Sequence, residues 1–201
     1  MPNVSNVRVY GLDEAIRAAK YPKAVELDGL TAELTKGILA CLNCPTGEGH
    51  DNALNGIIVQ FDLTFSQKAW TELQRYHFFD FVSSCSTMHK IAEQEFTLDD
   101  FSCEHLFNGA EEGTEFLKDF MYTIKALNKA RETYLETKKN IYWWQMIQLL
   151  PSSYNQRRTV VLNYEVLRNA CQARKHHKLD EWFGFYKWAE SLPYSELILE
   201  V

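Results

Sequence analysis

The stretch GIIVQFDLTF, residues 56–65, constrains the fold more than any other part of the chain. Ile57, Val59, Phe61 and Leu63 fall on one side of an extended backbone, and the branched and aromatic content suits a pleated, half-buried surface. At Ser66 the period changes. SQKAWTELQRYHFFDF places Ser66 as an N-cap and spaces Trp70, Leu73, His77 and Phe81 by threes and fours, which predicts a helix over 66–81. A strand feeding a helix predicts a mixed α+β fold.

The flanking segments repeat the mixture. NVRVYGL alternates Val7 and Val9 with polar neighbours and predicts a first strand; DEAIRAAK, with Asp13 near its start, predicts a short helix. LTAELTKGILACLNC, residues 30–44, carries Leu30, Leu34, Ile38 and Leu39 at helical spacing and is ended by Pro45, Gly47 and Gly49. SSCSTMHKI, residues 83–91, has no clear period and reads as loop or strand. Further helices are predicted over 113–137, marked by Phe116, Phe120, Ile124, Leu127 and Leu135, and over 141–150, where Pro151 stops the ladder. SSYNQRRT, residues 152–159, reads as a polar connector. Two closing helices follow, VLNYEVLRNACQARKHHKLDEW at 161–182 and a second over about 180–191.

A length of 201 residues fits one domain covering the whole chain. The net charge of -6 and a pI near 5.5 argue against broad nucleic-acid binding, which relies on a basic surface. No apolar run is long enough to span a bilayer and MPNVSNVRVYG lacks a secretory pattern, so a cytoplasmic protein is expected. Five scattered cysteines, Cys41, Cys44, Cys85, Cys103 and Cys171, do not make a disulfide framework. Cys41 and Cys44 form a C-x-x-C, with Cys103 and His105 as paper ligands, but a lone pair is weak evidence for zinc and no metal is expected.

Three polar clusters stand out. GHDNALNG, residues 49–56, has the composition of a turn. RYHFFDFVSSCSTMHK sets Arg75 and His77 before the small residues Ser83, Ser84, Cys85 and Ser86, which let a backbone approach a ligand. In the stretch 161–182, helical spacing aligns Asn163, Leu167, Ala170, Arg174, His177 and Glu181, a polar line beside apolar packing, as binding sites are lined. Familiar nucleophile, phosphate-loop, dinucleotide and zinc-protease motifs are missing.

The order and spacing of these clusters resemble the flavin-dependent thymidylate synthase family. AIRAAKYP is similar to the family's early Ala-Arg segment, HDNALNGIIVQFDL to its turn and strand, and AWTELQRYHFFDFVSSCSTMHK to its signature. LPSSYNQRRTVVLNYEVLRNACQARKHHKLDEW resembles the closing part, where Leu150, Pro151, Asn163, Leu167, Asn169 and Arg174 keep the family's spacing. The resemblance implies a twisted, mainly antiparallel sheet with helices and a homotetramer with active sites between subunits. It also implies FAD as cofactor, NADPH and methylenetetrahydrofolate as co-substrates, and methylation of a dUMP-like pyrimidine nucleotide at C5.

Carried over by position, Arg75, Tyr76, His77, Asn163, Asn169 and His177 are the expected flavin-binding residues. Glu72, Ser84, Cys85, Ser86 and Arg174 are the expected substrate contacts, with Arg174 also the catalytic candidate. A guanidinium suits phosphate or a carbonyl edge, and an amide suits a flavin ring that presents donors and acceptors. The chain departs from the pattern at Tyr76 and His77, where the family has His and Arg. It also departs at Thr87 or Met88, Ile147 and Glu165, where the family has arginines, and at Asn55 and Gly56, where it has an acid and a histidine. Each charge-assisted bond to phosphate contributes about 1.5–3 kcal/mol, so these losses leave open a second reading. In that reading the same fold serves as a non-catalytic nucleotide-binding or protein-interaction member.

Overall fold

The computed structural model describes residues 3–45 and 48–199. Its strands are β1 (Asn3–Tyr10), β2 (Ile58–Ser66), β3 (Asp80–Ser84) and β4 (Asn155–Asn163). The helices are α1 (Leu12–Ala18), α2 (Lys36–Leu42), α3 (Gln67–Leu73), α4 (Thr87–Lys90), α5 (Phe116–Thr137), α6 (Asn140–Leu149), α7 (Tyr164–Arg174), α8 (Asp180–Ala189) and α9 (Glu196–Leu199). The sheet is antiparallel with order β1-β2-β4-β3, so the mixed α+β class expected from the sequence is the one observed. Among the described residues, no helix is long and apolar enough to cross a membrane.

Two compact units make up the chain: Met1–Phe65 with Thr71–Ser83 and Arg158–Val201, and Ser66–Trp70 with Ser84–Arg157. In the first, the alternation of β2 appears as read: Ile57, Val59, Phe61, Leu63 and Phe65 are fully buried. Phe65 packs edge-on against Trp182 with centroids 5.2 Å apart, and Phe61 lies 6.2 Å from Phe185. Buried aromatics of this size contribute about 1.5–3 kcal/mol each by leaving water. β1 carries a bulge between Ser5 and Arg8 at Asn6, whose left-handed φ of 53° an asparagine tolerates. Its amide donates to Asp62 Oδ2 at 2.7 Å. Gly11 begins α1 at φ 73°, where a Cβ would sit 2.3 Å from the Gly56 carbonyl oxygen, so only glycine fits.

Behind β2 lies a polar knot that periodicity did not reveal. Arg168, on α7, is 1% exposed. Its Nε donates to the Leu197 carbonyl at 2.9 Å, Nη2 to the Leu42 carbonyl at 2.8 Å and Nη1 to Asp51 Oδ2 at 3.4 Å. One side chain thereby fastens α2, the 51–56 turn and α9 to α7. Tyr164 nearby donates to the Pro193 carbonyl, and burial raises both its pKa and that of Cys171, the latter to about 12.

The second unit is built on the α5–α6 hairpin. Ile124, Leu127, Ala130 and Met146 bury against Ile91, Phe96 and Phe101. Asn128 locks the preceding loop by accepting from Phe96 N and donating to Phe96 O, both at 2.8 Å. Trp70 donates its indole N–H to the Gln156 carbonyl at 2.8 Å.

Several predicted boundaries move, each for a local reason. The helix expected over 66–81 ends at Leu73; Phe78 takes φ 62°, and the chain re-enters the sheet as β3, leaving His77 and Phe81 exposed. SSYNQRRT is not a connector from Asn155 onward, because it begins β4, whose backbone pairs on both sides. The predicted closing helix at 161–182 is also split. Val161–Asn163 belong to β4, Asn163 caps α7 by accepting from Val166 N at 2.8 Å, and the helix ends at Arg174. The helix at 30–44 is confined to α2 because Thr35 caps it by accepting from Ile38 N; the expected stop at Gly47 lies outside the described residues.

Replacing Arg168 by alanine leaves Asp51 and two carbonyls without their buried donor. The expected cost is about 3–5 kcal/mol in equilibrium urea unfolding; a loss below about 1 kcal/mol would show the knot to be incidental. Cys171 supplies a pH test. Its folded pKa stands above the ordinary thiol value of 9.0, so its contribution is complete below about pH 9 and drains away as pH rises toward 12. Cys171→Ala should flatten the fall in stability between about pH 9 and 11 relative to wild type; unchanged slopes would contradict burial as the cause.

Candidate functional site

The turn after α3 and the end of α7 meet in the first unit. Glu72, on the last turn of α3, accepts through Oε2 from Arg174 Nη1 at 3.2 Å and from His177 Nε2 at 3.1 Å. Arg174 Nε donates to the Tyr76 hydroxyl at 2.9 Å. The guanidinium carbon lies 4.9 Å from the Trp182 ring centroid and 5.6 Å from that of Tyr76, in reach of both π faces. The ionic side chains are 13% exposed for Arg174 and 19% for Glu72, enough shelter to strengthen the pair and enough opening for a ligand.

His177 is held from the other side as well. Its Nδ1 accepts from Leu179 N at 3.2 Å, so the ring proton is assigned to Nε2, the atom that faces Glu72. A neutral imidazole in that tautomer orients the carboxylate, and the carboxylate orients the arginine. With Nε and Nη1 committed, Nη2 of Arg174 has no protein partner among the described residues. The cluster can therefore present two N–H donors from a planar, stacked group to a carbonyl or an oxyanion.

Of the residues singled out from sequence, Glu72, Tyr76, Arg174 and His177 are brought together. Arg75 and His77, in the same turn, are exposed and make no side-chain hydrogen bond or ion pair with the cluster. Asn163 is at the opposite end of α7, roughly 16 Å away along an eleven-residue helix. There its Oδ1 is spent on the cap and its Nδ2 donates to Asn55 Oδ1 at 2.9 Å. Asn169, half-buried in mid-helix, keeps an amide without a partner among the described residues. Glu181, the last member of the predicted line, is buried on α8. Trp182 was missed as a site residue, although it sits in the aromatic-rich closing segment one step past that line.

Ser84, Cys85 and Ser86 are described with the second unit. Ser84 and Cys85 are exposed, and Ser86 caps α4 by accepting from His89 N at 3.1 Å. Cys85 and Ser86 line a cavity of about 240 Å³ floored by Gln156, whose Nε2 donates to the Cys85 carbonyl and whose Oε1 accepts from Gln67. Gln156 was not found from sequence because the strand carrying it was read as a connector.

No family model matches the chain, and no curated protein matches it. Solved structures do. The Helicobacter pylori flavin-dependent thymidylate synthase ThyX, complexed with FAD and dUMP, superposes with a TM-score of 0.65 at 19% identity over 98% of this chain and 99% of that one. A second structure of that enzyme with FAD and dUMP gives 0.67 over 100% and 98%. The UMP/dUMP methylase PolB from Streptomyces cacaoi, bound with 5-Br UMP, gives 0.66 at 12% identity over 98% and 92%. The chain has the fold of the flavin-dependent thymidylate synthases and UMP/dUMP methylases along nearly its whole length.

Proposed function

We propose that this chain is a flavin-dependent pyrimidine-nucleotide methylase. FAD is its cofactor, a dUMP-like nucleotide its substrate and C5 the position modified. NADPH and methylenetetrahydrofolate are the co-substrates, and a cytoplasmic homotetramer is the working form. The observation that carries this reading is the stacked, oriented guanidinium of Arg174 with its Nη2 edge uncommitted, on a fold that solved nucleotide methylases share. Because Glu72 offsets its charge, Arg174 suits a ring carbonyl of the pyrimidine better than a dianionic phosphate.

The residues present fit a flavin. Arg75 offers an exposed guanidinium without an acidic partner among the described residues, suited to the cofactor's phosphates. Asn169 offers a free amide for a ring edge, while Asn163, already bonded twice, serves by fixing the helix start. His77 and Tyr76 complete the proposed cofactor set, and His177 acts through Glu72. Bound flavin would supply the redox chemistry that no side chain here provides. In the second unit, Ser84, Cys85 and Ser86 are the proposed substrate contacts. The tetramer is supported by edge strand β3, all five of whose residues are exposed, including Phe81 and Val82.

Two observations favour the second reading, a non-catalytic nucleotide-binding or interaction protein. The cation of Arg174 is already neutralised by Glu72, and Tyr76 and His77 stand where the family has His and Arg. Incubation with FAD, NADPH, methylenetetrahydrofolate and dUMP labelled with tritium at C5 separates the two. Tritium release by the pure protein is expected. Nucleotide binding without release would establish the second reading, and neither would refute both. Arg174→Ala should weaken dUMP binding at least about tenfold in calorimetry, with a melting temperature within about 4 °C of wild type. Equal affinity in that variant would remove Arg174 from the site.

A further inference from the structure

Cys41 and Cys44 form the one sequence motif that the proposed chemistry leaves unused. All five thiols of the chain are free, and these two are the closest in sequence. Cys41 lies in the last turn of α2, and Cys44 directly follows its C-cap, Asn43. Residues three apart on a helical turn face the same side, with Cβ atoms about 5–6 Å apart. Both cysteines accordingly line one cavity, bounded by α1, the Tyr21–Lys23 turn, α2 and the Asn52–Gly56 turn.

Three further features suit this pair to disulfide exchange. The first is a turn that can tighten. A disulfide needs Cβ atoms about 3.5–4.5 Å apart, so the two residues must approach by about 1–2 Å. Asn43, between them, has already left the helix at φ -90° and ψ 25°. Its side chain is lightly held: buried Oδ1 accepts no hydrogen bond among the described residues, and Nδ2 donates to the Glu196 carbonyl at 3.2 Å. The second feature is unequal access. Cys41 is partly exposed and open to a reagent, whereas Cys44 is 8% exposed. The third is charge. The Arg168 guanidinium lies within electrostatic reach of Cys44, a cation beside a sulfur that carries negative charge during exchange.

We propose that Cys41 and Cys44 are a reversible redox pair, oxidised by a small-molecule disulfide of the glutathione class. The Cys41 thiolate attacks one sulfur of that disulfide, whose S–S bond breaks and releases one thiol, leaving a mixed disulfide on Cys41. The Cys44 thiolate then attacks Cys41 Sγ, forming the intrachain S–S bond and releasing the second thiol. Two electrons pass from the protein to the reagent, and the two protein-thiol protons end on the two released thiols. In reducing compartments, disulfides are transient pairs of this kind rather than structural frameworks. The crosslink holds the end of α2, where the Leu42 carbonyl meets Arg168, in a second covalent state and reshapes the cavity wall. The thiols report on themselves, so the test needs neither nucleotide nor flavin, and its failure would leave the methylase reading standing.

Thiol mapping on the full chain tests the pair. After incubation of the folded protein with glutathione disulfide and quenching with N-ethylmaleimide, trypsin releases residues 37–68, whose only cysteines are Cys41 and Cys44. In wild type this peptide should be lighter than its reduced form by two hydrogens and carry no maleimide, and dithiothreitol should restore two alkylation sites. Cys44→Ser should stop at the mixed disulfide on Cys41. In Cys41→Ser, Cys44 should react at least about tenfold more slowly than Cys41 does in Cys44→Ser; equal rates would overturn the order of attack. A wild-type peptide that carries glutathione on both cysteines, or that keeps both thiols free in the folded chain, would overturn the proposal. A disulfide joining either residue to Cys85, Cys103 or Cys171 instead would overturn it equally. Because the mapping reads wild type directly, it stays decisive even where Cys44→Ser disturbs packing.

Discussion

A single carboxylate organises the candidate site. Glu72 Oε2 receives hydrogen bonds from Arg174 and His177 and so ties the turn after α3 to the end of α7. Without it, a half-buried guanidinium beside Trp182 would sit in an apolar, aromatic setting with no countercharge, which is costly. With it, the guanidinium is fixed in plane and orientation, and its remaining edge becomes a directional donor. The backbone N–H of Leu179 completes the relay by fixing which nitrogen of His177 carries the proton.

Two arginines of α7 show how differently the same side chain can be used. Arg168 and Arg174 are six residues apart, hence on different faces of the helix. Arg168 is closed on three sides by Asp51 and two carbonyls, leaving no room for a ligand. Arg174 is closed on two and open on the third. Composition and spacing cannot separate them, because the distinction depends on what distant segments bring: α2, the 51–56 turn and α9 to one, the α3 turn and α8 to the other.

Where burial alone dictates the pattern, the sequence was legible. β2 shows its alternation because one face is fully buried, and the ends of α5 and α6 fall within a few residues of the predicted ones, where helical period and Pro151 both speak. The pattern is hidden where polar groups carry the structure. β4 opens with the polar run Asn155, Gln156, Arg157 and Arg158, in which Asn155 accepts from Ser102 and Gln156 bonds Gln67 and the Cys85 carbonyl, so no apolar alternation marks the start of the strand. Asn163 looked like the start of a polar helical line, but its side chain ends the strand and starts the helix. At the site, Glu72, Tyr76, Arg174 and His177 were marked in advance by spacing and by resemblance to the synthase family. Trp182 could only be assigned once the chain was seen to turn back at Leu179.

The role assigned to Arg174 depends on where a pyrimidine ring docks. A crystal structure of the chain with FAD and dUMP tests this most directly. The prediction is a ring carbonyl of the nucleotide within about 3 Å of Arg174 Nη2, with the Glu72 and His177 contacts intact. A nucleotide bound elsewhere, with Nη2 still facing solvent, would contradict it.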